Sequence, residues 1–174
     1  MRQTKKLTLS AVSVALGVVF MVIGGFLDVL DLSACALASL ISVFVFIEIG
    51  SPYTYLVWLA TSLITFVMFP GSAIWIEYLA VFGIYPIIKA YIERAPRFLW
   101  LILKLIYANC VIWLMMLGVE YILKMPFFNT DKSIIKIGIY LLLNVAFVAY
   151  DFFLTVFIRV YFNKFRHRFM RFLK

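Results

Sequence analysis

Long apolar runs separated by brief polar punctuation set the organisation of this chain. Apolar residues dominate 7–27, 33–49, 53–69, 73–92, 98–123 and 134–158. Each run reaches the roughly 17–25 residues that a helix needs to cross a bilayer. The interruptions are short: Asp28 and Asp31, then Gly50-Ser51-Pro52, Pro70-Gly71, Glu93-Arg94-Ala95-Pro96, and the polar loop that follows Lys124. Proline and glycine at these points stop one helix and start the next. The pattern predicts an all-α integral membrane protein, a single six-helix bundle.

Composition sharpens this reading. Of 174 residues, 66% are hydrophobic and 14% charged, against roughly 45–50% and 25% in soluble domains. The net charge of +8 is concentrated at the ends of the apolar runs. That is a footprint of topology and of membrane lipid, not of a nucleic-acid groove. With the N-terminus inside, thirteen Lys and Arg fall on the cytoplasmic side, Lys89, Arg94, Arg97 and Lys104 among them, and three (Lys124, Lys132, Lys136) fall outside. Both termini are therefore expected in the cytoplasm. Residues 159–174 read as a basic amphipathic extension, with Phe162, Phe165, Phe169 and Phe172 on one face to lie on the inner leaflet. Leu32-Ser33-Ala34-Cys35 matches a lipoprotein cleavage box, but Asp28 and Asp31 interrupt the approach to it, so the first run is read as a retained span. Cys35 and Cys110 sit at different depths, as small core residues rather than a disulfide.

Little catalytic chemistry is available. There is no glycine-rich phosphate loop, and the lone histidine, His167, lies in the basic tail. No catalytic residue, metal site or cofactor is expected. The polar residues inside the spans say more, because polar groups in hydrocarbon must face the protein interior or a cavity. Ser133, Tyr140, Asn144, Asp151 and Thr155 share one stripe of the sixth helix; Asn109, Trp113 and Glu120 share one of the fifth. Lys104 and Asp151 are expected to form a buried ion pair, structural or connected with transport. Trp75, Glu77, Tyr78, Asn109, Trp113, Glu120, Tyr140 and Asn144 are candidates for an aromatic-walled ligand pocket in the outer half. On the first helix Ser10, Ser13, Gly17 and Gly24 form a narrow small-residue stripe bordered by Ala11 and Ala15. Such a face serves internal packing or the docking of another protein.

Taken together, these features resemble the substrate-binding components of energy-coupling factor transporters, which are small six-span bacterial membrane proteins with cytoplasmic termini. Lys5-Lys6-Leu7-Thr8-Leu9-Ser10 leading into Ala11-Val-Ser-Val-Ala15 matches that family's basic leader and Ala-x-x-x-Ala motif, and the stretch FGIYPIIKAYIERAPRFLWLILKLIYAN is similar to one in uncharacterised clostridial-type relatives. The resemblance implies a bacterial cytoplasmic-membrane subunit that captures a vitamin-like small molecule. It would dock, through Ala11, Ala15, Ser10 and Gly17, on a membrane coupling protein driven by ATPase subunits. No vitamin-specific signature is present, and the absence of membrane histidines removes the nickel and cobalt branch. The alternative is a non-transport scaffold, similar to rod-shape-determining membrane proteins, that recruits partners through the same small faces and the basic tail.

Overall fold

A computed structural model describes residues 3–27, 30–122, 124 and 133–165. Six helices follow in order: α1 Gln3–Phe26, α2 Asp31–Glu48, α3 Ser51–Met68, α4 Ile74–Ile92, α5 Arg97–Ile122 and α6 Ser133–Val160. All six are long and apolar enough to span a membrane, and no strand occurs among the described residues. A turn Tyr161–Phe165 extends α6; residues 166–174, with His167, and the whole 125–132 loop lie outside the described set.

The turns have local causes. Gly50 has φ of +107°, a left-handed geometry that glycine adopts without steric cost, and Pro52 then sits in the first turn of α3, where its missing N–H is not needed. Glu48 at the end of α2 bonds Tyr161 after α6 at 2.9 Å, so these two helix ends lie together. Glu93 lines a cavity with Ile47 and Phe162, so residues 93–96 share this basic end.

The expected continuous fourth helix is broken. Ile74–Glu77 is a single α turn, Tyr78–Phe82 a π turn, and Tyr85–Ile92 regular helix again. The Gly83 N–H reaches back five residues to Tyr78 O at 2.8 Å. Widening the turn leaves carbonyls that lipid cannot satisfy, and neighbouring helices supply the donors. Trp58 Nε1 of α3 donates to Leu79 O at 3.1 Å, Tyr107 of α5 to Ala80 O at 3.1 Å, and Tyr150 of α6 approaches Phe82 O at 3.3 Å. Gly83 is required beneath Trp58, because a Cβ there would meet the indole at 2.4 Å.

Helix α2 is central and touches α1, α3, α4 and α6. Its inner surface is small: Ala34, Cys35, Ala38, Ser39 and Ser42 are buried. Helix α1 lies closely against α2 and α3 through Ser10, Ser13, Gly17 and Gly24, all buried. A Cβ on Gly24 would come within 2.5 Å of Ala34 Cβ. The other half is joined by aromatic rings, with Tyr85 stacked on Tyr107 at 5.4 Å and edge-on to Phe147 at 4.8 Å. Leu56, Leu63, Leu101, Leu141 and Leu142 point outward, as a lipid-facing surface requires.

Candidate functional site: an ionic network beside an apolar cavity

The π turn and Pro86 bring Lys89, on the last part of α4, into the bundle, where only 1% of its surface is accessible. Its Nζ bonds the Asp151 carboxylate directly. It also donates to Thr155 Oγ1 at 2.8 Å and approaches Asp151 O at 3.2 Å and Glu93 Oε1 at 3.1 Å. Lys104 Nζ of α5 lies 2.8 Å from Asp151 Oδ2 and 2.9 Å from Glu93 Oε1. Tyr85 donates its hydroxyl proton to Asp151 Oδ1 at 2.7 Å. Two ammonium groups and two carboxylates thus share one cluster, and its net charge is zero. Removing isolated charges from water is expensive, and only mutual neutralisation with full hydrogen bonding makes burial tolerable.

The structure brings Lys104 and Asp151 together and adds two partners that sequence reading placed elsewhere. Lys89 is not a surface charge of the 93–96 turn. It faces the interior, because the π turn inserts an extra residue ahead of it and resets the helix face. Excluding both buried lysines from the topology count leaves eleven basic residues against three, so the asymmetry keeps its sign. The signal available in the sequence was the i, i+4 spacing of Lys89 and Glu93.

On the other side of Asp151 lies a cavity of about 350 Å³ walled by four helices. Leu32 and Ala36 of α2, Phe82 of α4, Ile112 of α5, and Ala146 and Tyr150 of α6 line it. Its surface is almost wholly apolar, since the Tyr150 hydroxyl is turned away to donate to Ser39 Oγ at 2.7 Å. Tyr85 joins cavity to network, with its hydroxyl on Asp151 and its ring beside Phe147 and Tyr150 at 4.8 and 5.7 Å. A second cavity, about 340 Å³, adjoins the network at the basic end and is lined by Phe46, Pro86, Lys89, Glu93 and Ile158.

The eight outer-half candidates do not converge on one pocket. Trp113 is 60% exposed and Glu120 is also exposed. The inward line of α5 instead runs through Ala108, Val111, Ile112 and Met115, one position round from Asn109, and this leaves the flanking Trp113 and Glu120 to the outside. Tyr78 is buried and its hydroxyl engages Ser42 Oγ at 3.1 Å. Trp75 meets Phe66 edge-on at 4.9 Å, while Trp75 Nε1 and Glu77 Oε2 find no hydrogen-bond partner among the described residues. Asn109, Tyr140 and Asn144 do meet, and they satisfy one another. Tyr140 donates to Asn109 Oδ1, Asn144 Nδ2 approaches the same oxygen at 3.3 Å, and Asn109 Nδ2 turns back to Leu105 O at 2.8 Å. The side chain of Ser133 lies outside the described set.

On α1 the small residues divide into two groups. Ser10 and Gly17 are covered by the protein's own helices, Gly17 against Thr61, so they are unavailable to another protein. Ala11 and Ala15 are exposed. Cys35 is buried, whereas Cys110 is exposed rather than in the core. Among the described residues no group of His, Cys, Asp and Glu is arranged to hold a metal ion. Comparison with protein families, with characterised proteins and with solved structures gave no match.

Proposed function

We propose that this chain is the ligand-binding membrane subunit of an ATP-driven micronutrient uptake system, and that its basic end lies in the cytoplasm of a bacterial cell. The partly open cavity of about 350 Å³ between α2, α4, α5 and α6 carries the reading. Its volume is of the size that takes small organic molecules, and its lining favours an uncharged, mainly apolar body. The chain holds no phosphate-binding loop, so the energy would come through a docked coupling protein and its ATPases. Exposed Ala11 and Ala15 offer a narrow surface for that contact. Filling the cavity by Ala146→Trp should abolish ligand-induced thermal stabilisation of the purified protein, while Ala15→Trp should abolish co-purification with ATPase subunits and leave stabilisation intact. Ligand screens without stabilisation, together with no ATPase partner from the native membrane, would end this reading. The scaffold alternative draws on one observation, the saturation of the ionic network by its own members, which leaves it structural.

Orientation has its own test. A cysteine at position 130 should react with an impermeant reagent from outside the cell, and one at position 95 should not.

A further inference from the structure

The attachments of α6 differ along its length. Toward the basic end it is fastened by Tyr150 to Ser39 at 2.7 Å, by Asp151 to Lys89, Lys104 and Tyr85, and by Tyr161 to Glu48 at 2.9 Å. The bonds to Asp151 and Glu48 are charge-assisted and roughly twice as strong as neutral ones such as Tyr150–Ser39. Toward the opposite end, the polar contacts of α6 with another helix among the described residues are those of Tyr140 and Asn144 with Asn109, all neutral. Lipid-facing side chains are exposed at both ends, Leu141, Leu142 and Val145 at this one and Phe152 and Phe153 at the other, but here a Cβ on Gly138 would meet nothing within 4 Å among the described residues. This loosely held stretch includes Leu143 and Ala146, which form one wall of the cavity. Space also exists on both sides of the network, with cavities of about 350 and 340 Å³.

We propose that α6 is the gate of the larger cavity, pivoting about the Asp151 network and opening at an Asn109–Tyr140–Asn144 clasp. The name gate rests on the cavity being the ligand site; the motion itself does not. Tilting about Asp151 separates Leu143 and Ala146 from Leu32 and Ala36 without exposing a charge, because the ionic bonds remain at the pivot. The clasp is suited to opening, since breaking it unpairs one amide and one phenol but no ion. A molecule could then enter sideways between α2 and α6, from the bilayer.

Paired spin labels in lipid nanodiscs, with Cys35→Ala and Cys110→Ala as background and no ligand present, test this directly. Labels at Leu63→Cys and Leu142→Cys report the clasp end; Leu56→Cys and Val160→Cys report the pivot end. The clasp-end pair should show two distances, and Asn109→Ala should raise the longer population by roughly tenfold, as loss of neutral hydrogen bonds implies. Tyr140→Phe, which keeps the ring and removes one bond, should move it the same way by less. The pivot-end pair should stay at one distance throughout, which also verifies that each variant is folded. A single clasp-end distance unchanged in both variants would overturn the proposal, as would pivot-end distances that broaden in step. Because no ligand is used, failure of cavity binding leaves this result standing, and failure of the gate leaves binding to be judged by the Ala146→Trp test.

Discussion

The two halves of this bundle hold together by different means. Between α1, α2 and α3 the contact is steric: Gly17 lies on Thr61 and Gly24 on Ala34. The hydroxyls there mostly serve their own helices. Ser10 bonds Lys6 O, Ser62 bonds Trp58 O and Thr65 bonds Thr61 O, each four residues back. Between α4, α5 and α6 the side chains are larger, cavities remain, and the contact is polar: Asp151 with two lysines and a tyrosine, Asn109 with Tyr140 and Asn144. Lipid gives no hydrophobic reason for helices to associate, so affinity must come from close backbone approach or from buried hydrogen bonds. One half uses the first and the other uses the second. The first half leaves little free space between its backbones. The polar half can exchange partners and keep its cavity.

That contrast predicts a ranked set of effects on unfolding in detergent micelles. The largest belongs to the polar half. Asp151→Leu leaves two ammonium groups to share the single carboxylate of Glu93, one positive charge uncompensated, and should destabilise by about 3–5 kcal/mol. Pairing it with Lys89→Met leaves Lys104 and Glu93 at 2.9 Å as a balanced pair, so the double variant should be much milder than the sum of the two singles. Strict additivity would show that the four groups do not act as one cluster.

Next comes a steric change in the other half. Gly24→Leu forces its Cβ onto Ala34 and should cost about 1–3 kcal/mol by overpacking. Ala15→Leu, a comparable enlargement on the exposed side of the same helix, should be near neutral. Equal effects at the two positions would remove the distinction between covered and open faces of α1.

Two smaller effects separate hydroxyls that cross-link helices from those that do not. Tyr85→Phe keeps the stacked ring but takes one donor from Asp151, and should cost about 1.5 kcal/mol, at the lower end for a bond to a charged group. Ser62→Ala removes a bond made only within α3 and should change stability by less than about 0.5 kcal/mol. A Ser62 effect matching that of Tyr85 would mean that the first half also depends on polar contacts.

The sequence by itself determined the six spans and their turns, because a bilayer admits only backbone that satisfies its own hydrogen bonds, and helices with Pro and Gly at their ends leave a plain hydropathy record. It also paired Lys104 with Asp151, since two opposite charges stranded in apolar runs have few other outcomes. Tertiary structure alone decided which small residues of α1 are covered: Ser10 and Ala11 are adjacent in sequence and only about 100° apart on the helix, so periodicity cannot assign one to the protein and the other to the outside. It brought Asn109, Tyr140 and Asn144 together, with the phenol and one amide both on Asn109 Oδ1. And it decided Lys89. The π turn at Tyr78–Phe82 is stabilised by donors from Trp58 and Tyr107 on two other helices. The residue it inserts rotates all that follows by roughly 100° relative to an unbroken helix. A periodic reading of α4 has no access to donors on other helices, and so it places Lys89 at the membrane surface; the assembled bundle turns it inward onto Asp151.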